Sequence, residues 1–180
     1  MRGPILGLAV AAMVTPALAG QFKLSSIDVK SGSPMHAAQV LAGCNGQNTS
    51  PALAWSGEPA GTQSFAITMF DQDARNGTGW WHWAMFNIPA STHALAAGTG
   101  SAGSKDLPDG AVQGRNDFGS ADYSGPCPPP GEHAHHYEIT IYALKIAQLP
   151  LDGAATDEEI GRAVLANALA SAKIVGRYGR

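Results

Sequence analysis

The stretch "YEITIYAL" (137–144) places Tyr137, Ile139 and Ile141 on one face, opposite Glu138, Thr140 and Tyr142. Period two marks a β-strand, because successive side chains of an extended chain point to opposite sides. Two other runs read the same way. "SFAITMF" (64–70) puts Phe65, Ile67 and Met69 opposite Ala66, Thr68 and Phe70, and the aromatic-rich "HWAMFNI" (82–88) stops at Pro89. Turn-forming residues separate the runs, as in "SGEPAGT" (56–62) and "RNGTG" (75–79).

One helix is marked near the end of the chain. Thr156 and Glu159 form a T-x-x-E capping box, after which Ile160, Val164, Ala168 and Ala172 recur along one stripe. Gly176 then stands as the C′ residue, so the spacing predicts a helix running almost to Gly176. "PMHAAQVLAG" (34–43) also reads as helical. Strands first and a helix late imply a mainly β protein of antiparallel sheets with a C-terminal helix packed on them. Residues 20–180 contain no linker or repeat, and their length suits a single domain with one sizeable core.

Composition narrows the function classes. The chain is 44% hydrophobic and 14% charged, with a net charge of −3 and no basic run. That excludes nucleic acid as an expected partner. Residues 1–19, "MRGPILGLAVAAMVTPALA", combine Arg2, an apolar stretch from Ile5 to Val14 and an Ala17-Leu18-Ala19 cleavage pattern. They read as a cleaved signal peptide, so the mature chain is expected to be exported, to a periplasm or the medium, with no transmembrane segment. Export opens two fates for Cys44 and Cys127, a bridge or two buried thiols.

Chemistry concentrates in two segments. "FDQDARNGTGWWHWAMFNIP" (70–89) ends one strand with Asp71 and Asp73 and opens the next with His82 among tryptophans. An aspartate beside a histidine orients the ring and favours its charged form, and Trp80, Trp81 and Trp83 offer apolar walls. "GPCPPPGEHAHHYEITIYAL" (125–144) sets a stiff proline loop before three histidines. His135 and Tyr137 share parity on the following strand, whereas His136 faces the other way, which argues against three histidines meeting on one metal.

These two segments resemble the signature blocks of the phosphatidylethanolamine-binding protein family, in its bacterial Raf-kinase-inhibitor-like branch. "GCNGQNTSPALAW" (43–55), "GRNDFG" (114–119) and the closing "GRYGR" (176–180) also look like that branch, so the resemblance covers nearly the whole mature chain. It implies two antiparallel sheets packed as a β-sandwich, with a small anion pocket at one end. By position, Asp71 and Asp73 match the carboxylates of the D-P-D-A-P motif and His82 the pocket histidine. His135 and Tyr137 match the ends of H-R-Y. Gly125, Cys127 and Pro129 fall on the proline-rich rim, and Trp80 on an aromatic wall. The resemblance also brings Cys44 and Cys127 to the same end of the fold, where a disulfide is expected. Three residues depart from the pattern. Gln72 and Arg75 replace prolines of the first motif, and His136 replaces the arginine of H-R-Y, removing a permanent cation.

The resulting expectation is a non-catalytic binding protein for a small anion or phosphorylated molecule, acting also as a regulator or inhibitor of a protein partner. The competing readings are a hydrolase using the same residues and an interaction module with a vestigial pocket. The chain has no G-x-S-x-G elbow and no H-E-x-x-H motif, and no cofactor or metal is expected. The export reading predicts that protein recovered from the exported fraction begins at Gly20. Intact-mass measurement checks this, and a retained Met1 overturns it.

Overall fold

The computed structural model describes residues 21–180, so the expected signal segment lies outside the described residues. Strand β3 (Ser64–Asp71) runs through the middle of a five-stranded sheet. It is flanked by β4 (Trp80–Pro89) and β7 (His135–Leu144), both antiparallel to it. Strand β6 (Val112–Gln113) pairs β4 on one edge, and β8 (Ala168–Tyr178) pairs β7 on the other. A second antiparallel sheet has the order β1 (Lys23–Ser25), β2 (Leu53–Ser56), β5 (Ala94–Leu95). Two antiparallel sheets were expected, and two are found.

The alternation read from β3 and β7 sets how the layers pack. Phe65, Ile67 and Met69, with Ile139, Ile141, Trp83 and Met85, share one core with Leu24, Leu53, Trp55 and Leu95 of the small sheet. After the one-turn α1 (Ala74–Gly77) between β3 and β4, the second helix is α2 (Asp157–Asn167), whose Ile160 and Val164 pack with Ala66, Ala84 and Phe86 on the opposite face. The large sheet is therefore covered on both sides, which is why β3 is buried along nearly its whole length. Full burial of each large apolar side chain contributes about 1.5–3 kcal/mol.

Helix α2 starts where the capping box places it. Thr156 Oγ1 accepts the Glu159 N–H at 3.2 Å, and Glu159 Oε2 accepts the Thr156 N–H at 2.8 Å. Its end departs from the expectation. The helix stops at Asn167 and the chain continues as β8, so Ala168 and Ala172 lie in a strand and Gly176 is not a C′ residue. Pairing with β7 over ten positions satisfies a row of backbone groups that a longer helix would leave open. That tertiary gain outweighs the helix preference of the alanines. Gly176 instead admits Met35, whose Sδ would lie 2.8 Å from an added Cβ.

The helix expected over 34–43 is also absent. That segment runs in turns and closes in a short 3-10 turn, Ala42–Cys44, with Pro34 bridging to Arg177 of β8. Among the described residues no helix is long and apolar enough to cross a membrane.

Asp157, the first residue of α2, is buried with both carboxylate oxygens unpartnered. Burial, reinforced by the charge of Asp117, pushes its pKa up to about 7. The fold thus holds a proton that the unfolded chain releases near pH 4, so this group makes stability fall as pH rises from about 4 to about 7. Asp157→Asn is expected to flatten that dependence and to stabilise the fold at pH 8 by up to about 4 kcal/mol. Chemical denaturation at pH 5 and pH 8 measures both effects, and a variant less stable than the parent at pH 8 contradicts the account.

Candidate functional site

The site forms where β3 ends. Asp71, its last residue, pairs with Trp80 at the start of β4 and with Tyr137 near the start of β7. Residues of like parity on the flanking strands therefore gather around its carboxylate. His135 lies two positions before Tyr137, and His82 two positions after Trp80.

A β-bulge refines the placement. Phe70 pairs with Trp81 and Met69 with Trp83, so His82 is the extra residue on β4. Without the bulge, one of the neighbours His82 and Trp83 would turn to the α2 side. With it, His82 faces the site while Trp83 enters the core, its Nε1 donating to Gln113 Oε1 at 2.6 Å.

The two oxygens of Asp71 hold different partners. Oδ2 accepts His135 Nδ1–H at 2.8 Å and lies 4.0 Å from His82 Nε2. Oδ1 accepts the N–H groups of Asp73 at 3.0 Å and Ala74 at 3.2 Å, closing the turn after β3. All three titratable groups are buried, with exposures of 2% for Asp71, 3% for His82 and 2% for His135.

The two histidines differ in charge state for stated reasons. Burial of His135 opposes its charge, but hydrogen bonds to Asp71 and to Glu132 Oε2 on Nε2 at 2.9 Å overcome that and raise its pKa. A ring donating to two carboxylates is an imidazolium. For His82 burial prevails over the Ser124 carbonyl and Asp71, and its pKa is lowered. Its Nδ1–H donates to the Ser124 carbonyl at 2.6 Å, which leaves Nε2 as the unprotonated nitrogen facing Asp71.

Around these groups lies a cavity of about 710 Å³. Of the residues singled out in the sequence, Asp71, Asp73, Trp80, His82, Cys127, Pro129, His135 and Tyr137 line it. Gly125 does not. It sits behind the rim, donating its N–H to Asn48 Oδ1 at 2.8 Å, and an added Cβ would meet the Gln39 carbonyl oxygen at 2.0 Å. Its role is close backbone packing. Asp73 faces the cavity but is engaged elsewhere. Its Oδ2 accepts both the backbone N–H and the Nδ1–H of His136, and Oδ1 lies 3.5 Å from His133 Nε2. Burial works against the Asp73 charge, but these hydrogen bonds hold its pKa below the usual carboxylate range.

Cys127 is joined to Cys44 by a disulfide with a Cα–Cα distance of 5.7 Å, tying the proline-rich rim to the 3-10 turn. Two donors in the cavity walls are unmatched. Trp80 Nε1 and Tyr137 Oη are buried without a protein hydrogen-bond partner. Burial and nearby Asp71 also push the Tyr137 phenol upward, so it remains a donor.

Several lining residues were not legible as such. Phe118 meets Trp80 and His82 edge-on, each at 5.3 Å between ring centroids. It is presented by a loop organised on Asn116, whose Nδ2 donates to the His82 and Asp122 carbonyls and whose Oδ1 accepts the Phe118 N–H. The "GRNDFG" block contained the signal without its geometry. Glu132 and Arg75 also line the cavity, Glu132 without a role in the motif-based reading and Arg75 read only as a departure from the first motif. Among the described residues no three His, Cys, Asp or Glu side chains converge at metal-ligand spacing.

Comparison with known proteins gives a consistent result. The family model for phosphatidylethanolamine-binding proteins matches residues 25–179. UPF0098 protein YbcL of Escherichia coli is 42% identical over 180 residues, covering 99% of this chain and 98% of that one. UPF0098 protein YbhB of the same organism is 43% identical over 158 residues, 87% of this chain and 99% of that one. The crystal structure of YbcL, described as a new member of the mammalian PEBP family, superposes with a TM-score of 0.87 at 44% identity, covering 89% and 99% of the two chains. A family homolog from Chlamydia trachomatis reaches a TM-score of 0.73 at 28% identity, covering 88% and 97%. With its sequence matched from Ser25 to Gly179 and its fold shared with YbcL, the chain belongs to the phosphatidylethanolamine-binding protein family.

Proposed function

We propose that the chain is a non-catalytic binding protein whose cavity takes a small anion, such as a phosphate or the phosphate of a larger molecule, on His135 and His82. The observation that carries this reading is the state of His135. A buried imidazolium, oriented by Asp71, directs its second N–H at a carboxylate oxygen of Glu132, 2.9 Å away. Glu132 is exposed and joined to the stiff rim, so its carboxylate acts as an internal anion that a ligand oxygen replaces. The unmatched donors Trp80 Nε1 and Tyr137 Oη support the same chemistry, since a buried donor without an acceptor costs about 1–3 kcal/mol.

His82 supplies the proton linkage. Its Nε2 carries a lone pair, which repels an incoming oxygen unless a proton arrives as well. Binding of a dianion therefore draws a proton onto His82, and the bound anion raises the pKa that burial had lowered. Catalysis has less support. Cys127 lines the cavity, but its sulfur is bonded to Cys44, which leaves no thiolate there for nucleophilic attack.

His135→Ala and His82→Ala are each expected to weaken phosphate binding by about 1.5–3 kcal/mol, the contribution of a charge-assisted hydrogen bond. His136→Ala is expected to leave binding nearly unchanged, because that ring serves Asp73 outside the cavity lining. Glu132→Gln is expected to tighten it by removing the competing charge. Calorimetry on the four variants decides, and the reading fails if His136→Ala abolishes binding while His135→Ala does not. Sulfate, which carries no titrating proton near neutrality, isolates the proton linkage. Its affinity is expected to fall as pH rises between the free and bound pKa of His82, and a pH-independent affinity removes His82 from the scheme. Imidazole NMR of the free protein is expected to show His135 titrating above the ordinary value near 6.5 and His82 below it. The reverse order contradicts the assigned charge states.

A further inference from the structure

We infer that Arg75 is a second anion-recognition group at the mouth of the cavity, selecting phosphorylated ligands that carry a further negative group, such as a carboxylate. The inference rests on the anion reading of His135 and His82 above. It adds a side chain that the family motif does not supply, since Arg75 stands where the first motif has a proline.

Three observations support it. First, the backbone of Arg75 is left-handed, with φ 50° and ψ 47°, and Asn76 follows at φ 56° and ψ 38°. Asn76 tolerates that region, but an arginine there is strained, and such strain gathers at functional sites. The turn is held by Asp71 Oδ1, which accepts the N–H groups of Asp73 and Ala74, and by the Gly79 N–H to the Ala74 carbonyl at 2.9 Å. One aspartate thus holds both the buried His135 cation and the turn that carries Arg75.

Second, the guanidinium lies 3.8 Å from the centroid of Trp80, which itself lines the cavity. The ring holds the guanidinium in place, and a guanidinium's N–H fork binds a carboxylate or phosphate in bidentate fashion. Among the described residues no carboxylate lies within 4.0 Å of that fork, although Arg75 sits on the same short turn as Asp73. Asp73 is engaged by His136 and His133, and Glu132 by His135. The cation is therefore exposed at the cavity mouth without an internal partner.

Third, a cavity of about 710 Å³ exceeds what one phosphate on His135 and His82 fills. The remaining space runs beside Trp80 and Phe118, whose rings suit the short organic part of a ligand whose other end reaches Arg75.

O-phosphoserine and phosphoethanolamine differ by one carboxylate and form the matched pair for the test. Calorimetry on the disulfide-intact protein is expected to show phosphoserine bound about tenfold or more tightly than phosphoethanolamine, as a charge-assisted contact implies. Arg75→Gln is expected to erase that preference, bringing the phosphoserine-to-phosphoethanolamine affinity ratio to within about twofold of one, as the loss of the contact to the carboxylate implies. Arg75→Lys is expected to retain only part of it, having charge without the fork. Equal affinities in the parent protein, or a preference that survives in Arg75→Gln, overturns the inference and leaves the anion pocket standing. If the folded parent protein binds neither compound nor inorganic phosphate, the pocket reading itself fails, and this inference with it.

Discussion

The carboxylate of Asp71 is the interaction on which the rest of the site depends. It is buried at the end of the central strand, where an unpaired charge would be costly. That cost is offset because every direction around it is used. Oδ2 takes the His135 imidazolium, and Oδ1 takes two backbone N–H groups of the following turn. One side chain therefore sets the charge and orientation of the histidine and also the backbone path that carries Asp73, Arg75 and Asn76. The pair is also self-consistent. The Asp71 carboxylate raises the pKa of His135 against the effect of burial, and the resulting cation is the partner of the buried carboxylate.

Around that pair, the sheet separates support from presentation. The face shared with the small sheet continues into the cavity, so Ile139, Tyr137 and His135 lie on one side of β7, the first in the core and the other two at the cavity wall. The opposite face is closed by α2 and carries no part of the cavity lining. The bulge at His82 is the local exception that makes this possible on β4. It lets Trp83 serve the core and His82 the site although they are neighbours in sequence. The disulfide and the prolines stiffen the opposing rim, so the cavity is bounded by a strand end on one side and a braced loop on the other.

The three departures from the family motifs acquire structural meaning together. His136, in place of an arginine, takes Asp73 through both its ring and its backbone N–H, and so ties the turn after β3 to β7. Gln72 donates its backbone N–H to the His136 carbonyl in the same junction. Arg75 is carried by the turn so braced and lies over Trp80. The permanent cation missing from position 136 is matched by one at position 75, on the side of the turn that faces the cavity.

Much of this organisation was legible in local pattern. Alternation over 64–70 and 137–144 marks the two long strands and their inward faces, because burying one side of a sheet requires period two. The capping box marks the start of α2, because its hydrogen bonds close within four residues. Motifs adjacent to strand ends also pointed to most of the singled-out residues that the fold brings to the cavity lining. What local pattern did not carry was settled by partners distant in the chain. "ALASAKIVGRY" (168–178) is compatible with helix or strand, and it becomes a strand because β7 offers a row of unpaired backbone groups. Gly125 reads as rim until the Gln39 backbone is packed against it. Glu132, Arg75 and Phe118 belong to no periodic pattern, and their positions follow from a hydrogen bond, a ring stack and a loop hub that only the folded chain assembles. Periodicity reports which face is buried, whereas the identity of a charge's partner depends on contacts across tens of residues, and those exist only once the sheets have closed.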